Sequence, residues 1–253
     1  MATQASELRE QLLATALRAL LIVWRDPEDR RFVPVAHLYV LGDGTFAFEY
    51  RSEARSSERF VALDEYPDMA RIYISSSLPV FFVNRIMSDS RPGYAQYLQW
   101  LGLAEAAAAD LPIEVLVRTG GGRATDTFHV VDVPIRGEQA FESRFFVSGV
   151  RHVAHDASGE PTVRPGDRLE LRPQPDNLKN PRAVIIDVSS GEQLGWVPDW
   201  LCGEVTELMN RGWSMEATAE RVNSDAPART RVLCRLVGAA PGARVDGPAT
   251  ATS

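Results

Sequence analysis

Residues 164–201 constrain the fold more than any other part of the chain, because strand-forming and turn-forming sequences alternate within them. Two apolar runs with strand character, LELRP and AVIIDV, flank the sequence QPDNLKNPR, which contains two prolines and two asparagines in nine residues. Proline lacks an amide donor and asparagine favours turns, so this sequence cannot continue a helix or a central strand. We therefore predict a rigid polar loop between two strands.

The sequence after the second run predicts a turn, a third strand and a helix. The turn is Ser189-Ser190-Gly191, and the strand is QLGWV. Pro198 is placed to begin the helix, since proline is favoured in a first helical turn, and Gly212 follows the last helical residues. These elements occupy fewer than fifty residues and indicate a compact, β-rich module.

This order of residues resembles the HIRAN domain, a small β-barrel found at the front of some DNA-remodelling helicases and alone in bacterial proteins. The resemblance implies an OB-like β-barrel with one helix, here over residues 137–238. Residues 222–238 also resemble the closing strands of bacterial members. The other matching pieces occur in the family's order and are FVSGVRH at 146–152, Gly166-Asp167, Leu169, PDN at 175–177, Ala183-Val184 and GWVP at 195–198.

The resemblance also implies a nucleic-acid site. In DNA-binding relatives, an arginine–aromatic pair after the first strand and the loop after the Pro-Asp-Asn element hold the 3′ end of single-stranded DNA. An aromatic ring stacks on a base, and a carboxylate accepts a hydrogen bond from the terminal hydroxyl. The corresponding residues, which we predict to bind nucleic acid, are Arg151, His152, Asn177, Lys179 and Asn180.

The loop of this predicted site departs from the relatives. Their tyrosine–aspartate pair corresponds to Lys179-Asn180, which removes an aromatic platform and the hydroxyl-binding carboxylate. Lys179 can instead meet a phosphate, Asn180 can bond to a hydroxyl, and His152 is a weaker stacking residue. Asp199 lies near a position where a basic residue contacts phosphate in the helicase form. The alternative is that residues 175–182 are only a rigid connection.

The charge of the chain opposes non-specific binding of nucleic acid. The net charge is −7, and residues 142–211 contain 8 basic against 11 acidic side chains. Nucleic-acid-binding proteins usually present a basic face, so any nucleic acid bound here needs a local site.

No apolar run approaches the roughly 20 residues of a membrane helix. The first residues lack the pattern of a secretory signal, and the two cysteines predict buried thiols in a reducing cytoplasm.

The N-terminal part predicts an α+β domain from its changing periodicity. The predicted elements begin with a helix over 6–21 that runs into the strand LLIVW, followed by a β-hairpin of 33–39 with 45–50 around Gly42-Asp43-Gly44. Two helices come next, one started by Ser77 and Pro79, and one started by Ser90 and Pro92 and ending at Gly102. The last elements are a short helix or strand from Pro112 and a strand over 127–133.

Several of these pieces resemble the N-terminal subdomain of HipA-type toxin kinases, over roughly residues 19–135. They are GDGTFAFEY, SSSLP, FFVNRIMSDS and the closing GGG…HVVDVP. The kinases continue into a catalytic domain, but this chain has no Gly-rich kinase loop and no His-Arg-Asp run, so kinase activity is not implied. The predicted layout is an N-terminal domain over 1–136, the β-barrel domain over 137–238 and a disordered tail over 239–253.

No set of residues predicts catalysis, a metal or a cofactor. His152, His155, Asp156, Cys202 and Cys234 fit no zinc-ligand spacing. The sequence RTGGGR at 118–123 lacks the Lys-Ser/Thr of a P-loop and is predicted to be a turn. The remaining aromatic candidates are Trp196, Trp200 and Trp213, predicted to close the barrel core, and Tyr94, Tyr97 and Trp100, which belong to the core or to a partner interface.

Two functions remain open from the sequence. The HIRAN resemblance favours a non-enzymatic protein that binds single-stranded DNA or DNA 3′ ends through its second domain. The acidic charge favours a protein-interaction or regulatory module. In that case, the first domain would dock on a HipA-like kinase or another partner in a toxin–antitoxin or defence setting. A membrane partner is not predicted in either case.

Overall fold

The computed structural model describes residues 14–122, 127–153 and 162–243, apart from the side chains of residues 135, 136 and 152. The chain divides into two units, Met1–Val133 and Pro134–Ser253. The described part of the first unit combines a sheet with helices, and that of the second is mainly β. The predicted fold class, an α+β domain followed by a mainly β domain, is therefore confirmed.

The sheet of the first unit has the strand order β4-β3-β2-β1-β5, and every neighbouring pair is antiparallel. Aromatic rings fill much of its core, where Phe48 stacks on Tyr66 with ring centroids 3.9 Å apart. The strands are β1 (Ala16–Arg25), β2 (Phe32–Leu41), β3 (Phe46–Tyr50), β4 (Tyr73–Ser75) and β5 (Phe128–Asp132), and the helices are α1 (Ser52–Ser56), α2 (Val80–Val83), α3 (Tyr94–Leu101) and α4 (Leu111–Thr119).

Strand β1 corrects the prediction of a helix over residues 6–21. From Ala16 onward the chain is a strand, hydrogen-bonded to β2 on one side and to β5 on the other. Apolar residues at 16, 17, 20 and 21 have helical spacing, but pairing on both sides buries Leu20 and Ile22 completely. Tertiary pairing therefore overrides the local pattern. Residues 1–13 lie outside the described part of the chain.

The predicted β-hairpin and the helix ending at Gly102 are confirmed. Strand β2 pairs with β3, and Asp43 in their turn accepts hydrogen bonds from the amide and hydroxyl of Thr45 at 2.9 and 2.7 Å. Helix α3 starts after Gly93 and ends at Gly102, whose φ of 73° is left-handed. The helix predicted after Pro79 is shorter than expected, because helical geometry is confined to α2.

The glycines at 120–122 end α4, which is a helix and not a strand. Gly120 and Gly121 have φ values of 71° and 56°, which glycine adopts readily at a helix C-terminus. The carbonyl oxygen of Gly121 accepts a hydrogen bond from buried Arg85 at 3.0 Å. A helix C-terminus carries partial negative charge, so this turn is unsuited to holding phosphate. Arg123, the last residue of the RTGGGR sequence, lies outside the described residues.

The sheet of the second unit has the order β10-β9-β8-β11-β12-β7-β6, again with antiparallel neighbours. Its strands are β6 (Ile135–Arg136), β7 (Ala140–Phe146), β8 (Arg168–Pro173), β9 (Val184–Val188), β10 (Gln193–Trp196), β11 (Ser214–Val222) and β12 (Val232–Ala239). One helix, α5 (Asp199–Asn210), follows β10, and Gly212 lies just beyond it as predicted.

Ser148 and Trp196 close this sheet into a barrel. Each residue donates its amide to the carbonyl oxygen of the other at 2.9 Å, which joins the segment after β7 to the edge strand β10. Two glycines permit the approach. A Cβ on Gly195 would lie 2.5 Å from the Ser148 carbonyl oxygen, and a Cβ on Gly149 would lie 2.7 Å from the Trp196 ring. A side chain at either position would therefore force the paired segments to shift.

The ends of the second unit complete the fold. Helix α5 buries Leu201, Cys202 and Val205 against the barrel. Strand β12 includes Ala239, and a turn follows at 240–243, so the start of the predicted tail is ordered structure. The rest of that tail, from residue 244, is outside the described residues. Of the helices that the structure describes, none has the length and apolarity needed to span a bilayer.

Candidate functional site

The loop between β8 and β9, residues 174–183, is held in one shape by its own side chains. The Asn177 carboxamide oxygen accepts hydrogen bonds from the amides of Lys179 and Asn180 at 2.9 and 3.1 Å. Asparagine commonly fixes turns in this way. The ends of the loop are also joined, since the Gln174 amide donates to the Ala183 carbonyl oxygen at 2.8 Å. The rigid polar loop predicted from the sequence is present.

The Gln174 side chain connects this loop to Trp196. Its Oε1 atom accepts hydrogen bonds from Asn177 Nδ2 at 2.8 Å and from the indole Nε1 of Trp196 at 3.1 Å. The hydrogen bond to Gln174 fixes the orientation of the Trp196 ring. The side chain is half-buried, so part of it still reaches solvent. One glutamine thus orients both the loop and the aromatic ring beside it.

Trp196 also contacts the turn that carries the other predicted residues. Gly149 lies against the indole ring, and a single 3₁₀ turn, Val150–His152, follows at once. Arg151 is exposed on this turn, and the side chain of His152 is outside the described residues. Trp196 therefore brings together two segments that the sequence separates by more than twenty residues, the Arg151 turn and the 174–183 loop.

The same loop rests on one face of helix α5. The Asn180 Nδ2 atom donates to Asp199 Oδ1 at 3.0 Å, and the Thr206 hydroxyl donates to the Arg182 carbonyl oxygen at 3.0 Å. The Arg182 side chain crosses Gly203, where a built Cβ would lie 3.1 Å from a terminal guanidinium nitrogen. Positions 199, 203 and 206 are spaced four and three apart and share a helix face.

Asn177 and Asn180 have structural roles in this arrangement. The Asn177 side chain fixes the loop, as described above, and the Asn180 Oδ1 atom accepts from the Arg182 amide at 2.9 Å. Both carboxamides are therefore engaged within the protein. Of the five predicted residues, the two with exposed cationic side chains, Arg151 and Lys179, have the chemistry and exposure to contact a phosphate.

Most arginines on the barrel strands are neutralised by acidic neighbours. Arg235 forms a two-bond pair with Glu142 at 2.9 and 3.0 Å, and it holds the pKa of that carboxyl below its ordinary value. The other pairs of this kind are Arg172 with Asp187 at 2.8 Å, Arg144 with Glu220 at 2.8 Å and Arg168 with Glu216 at 2.5 Å. Among the described residues, by contrast, no ion pair forms with Lys179 or Arg182.

Two loop residues were missed from the sequence. Leu178, at the tip of the loop, has a fully exposed side chain, which is unusual for a large aliphatic residue in a rigid turn. Arg182 lies over Gly203, as described above. A leucine within the polar sequence QPDNLKNPR, and a glycine inside the predicted helix after Pro198, are the sequence signals that point to them.

The two thiols are unsuited to catalysis or metal binding at neutral pH. Burial raises the pKa of Cys202 to about 12, and burial also raises the pKa of Cys234, so both are protonated. Within the described residues, no group of three His, Cys, Asp or Glu side chains is arranged to hold a metal ion. His155 and Asp156 lie outside the described residues.

The tryptophans of the second unit divide into two groups. Trp200 and Trp213 are half-buried and pack against the barrel core, as the sequence predicts. Trp196 is half-buried at the end of the barrel, where the loop and the Arg151 turn meet. Its ring is therefore the one aromatic surface that the described residues place within the candidate site.

Comparison with known proteins gives a family match for the second unit. Residues 140–240 match the family model of the HIRAN domain, which confirms that resemblance for the second unit. Solved structures similar to the chain include the HIRAN domain of human HLTF, with 18% identity, a TM-score of 0.30, and coverage of 38% of this chain and 72% of that chain. A protein from Lactobacillus plantarum shows 16% identity, a TM-score of 0.33, and coverage of 42% and 93%.

The comparisons leave the first unit without a family. No curated protein matches the chain. The family match lies within residues 140–240, so the resemblance of the N-terminal part to HipA-type kinases stays a prediction.

Proposed function

We propose that the HIRAN domain at residues 140–240 binds single-stranded DNA or DNA 3′ ends, and that the protein is not an enzyme. The observation that carries this proposal is the position of Trp196. Its half-buried ring contacts the turn that bears Arg151, and its indole nitrogen donates a hydrogen bond to the loop that bears Lys179. An aromatic surface beside cationic side chains suits a strand whose bases stack and whose phosphates need positive charge.

The charge distribution supports a small, local interface. The strand arginines are paired with carboxylates, so they contribute little field beyond the barrel surface. Arg151 and Lys179 are exposed on the two segments that Trp196 joins. A net charge of −7 weakens binding elsewhere, which favours a short strand end over a long non-specific track.

Asp199 supports a preference for a terminal hydroxyl. One carboxylate oxygen accepts from Asn180, and a carboxylate has further acceptor capacity on its second oxygen. A strand that ends in a hydroxyl can donate a hydrogen bond there. A strand that ends in phosphate meets a like charge at the same place.

Fluorescence anisotropy with labelled oligonucleotides tests this proposal. We expect the full chain to bind single strands with a free 3′ hydroxyl more tightly than 3′-phosphorylated strands or blunt hairpins. Arg151→Ala and Lys179→Ala should each weaken binding roughly fivefold, about 1 kcal/mol. Arg211→Ala, which removes one exposed charge at the far end of α5, is the matched control. Absence of binding to every oligonucleotide at low salt would refute the proposal.

We propose, as a second candidate, a protein-interaction module in which the first unit docks on a HipA-like kinase or another regulatory partner. The observation that favours it is that three apolar side chains of the first unit are exposed. Ile74 on edge strand β4 is 55% exposed, and Val80 and Val83 on α2 are 60% and 49% exposed. Exposed apolar side chains contribute to a protein–protein contact site where they form a continuous patch.

Co-purification from the native host tests the second candidate. The tagged wild-type chain should recover a stoichiometric partner, and a triple Ile74→Ser, Val80→Ser, Val83→Ser variant should not. Equal recovery by both proteins would count against this surface.

We also propose a cytoplasmic location, supported by two buried cysteines that are not disulfide-bonded.

A further inference from the structure

We propose that Arg182, laid across Gly203 of α5, is a phosphate-contacting residue of this interface, and that Gly203 is its positioning residue. This inference rests on the proposed function. It adds to the predicted site a cation that the loop sequence alone does not single out. It also assigns a role to a glycine in the interior of a helix.

The backbone of Arg182 is fixed at three points. Its amide donates to the Asn180 side chain at 2.9 Å, its carbonyl oxygen accepts from the Thr206 hydroxyl at 3.0 Å, and the adjoining Ala183 amide donates to the Asn180 carbonyl oxygen at 2.8 Å. The root of the side chain therefore has one position relative to α5. An arginine with a fixed root loses less conformational freedom when it binds a ligand.

Gly203 sets the direction of this side chain. A Cβ built there would lie 3.1 Å from a terminal nitrogen of Arg182 and 3.8 Å from its Cδ, so the side chain occupies the space above the glycine. Glycine is otherwise unfavourable inside a helix compared with alanine. The glycine therefore lets the guanidinium lie low on α5, beside the loop that carries Lys179.

The guanidinium of Arg182 is available to an anion. The side chain is exposed, and within the described ranges no carboxylate lies close enough to form an ion pair with it. Asp199, the acidic residue one helical turn before Gly203, instead accepts from Asn180. The four strand arginines named above have acidic partners, so Arg182 differs from them in this respect.

Lys179 and Arg182 together fit neighbouring phosphates of one strand. They are three residues apart on a loop whose shape is fixed, and both side chains are exposed. A nucleic-acid strand presents one phosphate per nucleotide, so two cations at fixed positions can contact successive groups. Guanidinium groups are well suited to phosphate because they donate paired hydrogen bonds.

The test measures binding of a single-stranded oligonucleotide at several salt concentrations. We expect Arg182→Ala to weaken binding severalfold and to lower the slope of log affinity against log salt by about 0.7, the value for one phosphate contact on a single strand. Arg211→Ala, with the same change in net charge, should leave both quantities at the wild-type values. A slope change identifies lost phosphate contact, which a purely structural role would not produce.

Gly203→Ala separates positioning from stability. The added methyl displaces only the flexible end of Arg182, and alanine is the better helix former, so the melting temperature should equal or exceed that of the wild type. Binding should nevertheless weaken, and adding Gly203→Ala to Arg182→Ala should produce no further loss.

The outcomes are distinguishable from failure of the proposed function. If the wild type binds and Arg182→Ala matches Arg211→Ala in affinity and salt slope, this inference is wrong and the proposed function stands. If the wild type binds and Gly203→Ala binds equally well, the positioning role is wrong. If the wild type binds no oligonucleotide, the proposed function fails and this inference fails with it.

Discussion

The indole nitrogen of Trp196 donates a hydrogen bond to Oε1 of Gln174 across 3.1 Å, and the same oxygen accepts from Asn177. A single acceptor atom thus joins a barrel strand to the loop that carries the candidate site. This relationship makes the shape of the loop depend on the ring, and the position of the ring depend on the loop.

Gln174→Met should therefore destabilise the second unit. Methionine keeps the approximate size of the side chain but removes the acceptor shared by Trp196 and Asn177. Two lost hydrogen bonds correspond to about 1–3 kcal/mol of unfolding free energy, measured by urea denaturation. Gln193→Met is the matched control, because the Gln193 side-chain nitrogen is buried without a partner among the described residues. A greater loss of unfolding free energy in Gln193→Met than in Gln174→Met would contradict this role of Gln174.

Gly195→Ala should prevent the barrel from closing normally. The new methyl would lie 2.5 Å from both the Ser148 carbonyl oxygen and a Val147 methyl, and the backbone at that point has little freedom to move. We expect a loss of about 3 kcal/mol in unfolding free energy, the range seen for overpacked sites. Gly137→Ala, whose nearest neighbour would be 3.7 Å away, should be nearly neutral. Equal unfolding free energies for Gly195→Ala and Gly137→Ala would show that the closure tolerates a side chain at position 195.

Leu178→Ala should weaken DNA binding without changing stability. The side chain is fully exposed, so its removal costs the folded protein no packing, whereas a bound base would cover it. We expect a loss of affinity of about threefold, near 0.7 kcal/mol, measured by anisotropy beside thermal unfolding. Val61→Ala, at a site 79% exposed in the other unit, controls for loss of any surface aliphatic group. Unchanged affinity would exclude Leu178 from the interface.

The free energy of unfolding should depend on pH through the buried thiol of Cys202. Burial raises the pKa of Cys202 from 9.0 to about 12, so the folded state retains its proton where the unfolded state loses it. This contribution to stability is complete below pH 9 and is lost as the pH rises towards 12. Cys202→Ala should show a smaller decline over that interval in urea denaturation. Rapid labelling of Cys202 by a thiol reagent at pH 8 in the native state would contradict its burial.

The polar loop was predictable because its signals are local, whereas the barrel was predicted from the resemblance to the HIRAN domain. Proline and asparagine in QPDNLKNPR exclude regular structure, and Asn177 fixes the turn through bonds to its own neighbours. The second half of β1 was predicted as the strand LLIVW, but its first half was not. The apolar spacing there fits a helix, and only pairing with β2 and with β5, which is distant in sequence, makes it a strand.

The candidate site was predictable only in part, for the same reason. The HIRAN resemblance identifies Arg151 and Lys179 as candidate nucleic-acid contacts, but the sequence cannot show that Trp196 joins their two segments. The role of Arg182 depends on Gly203, twenty-one residues later, which the fold places beneath its side chain. The glycine inside the predicted helix is a signal in the sequence, but which side chain lies over it is decided by tertiary structure.

Within the 174–183 loop, one set of side chains maintains the structure and a different set faces solvent. Gln174, Asn177 and Asn180 form the internal hydrogen bonds, whereas Leu178, Lys179 and Arg182 have exposed side chains. Substitutions of Leu178, Lys179 or Arg182 can change which ligand the loop binds while costing the barrel little unfolding free energy. The loop is therefore suited to diversification, because changes at these three positions can alter ligand preference while the backbone keeps its shape.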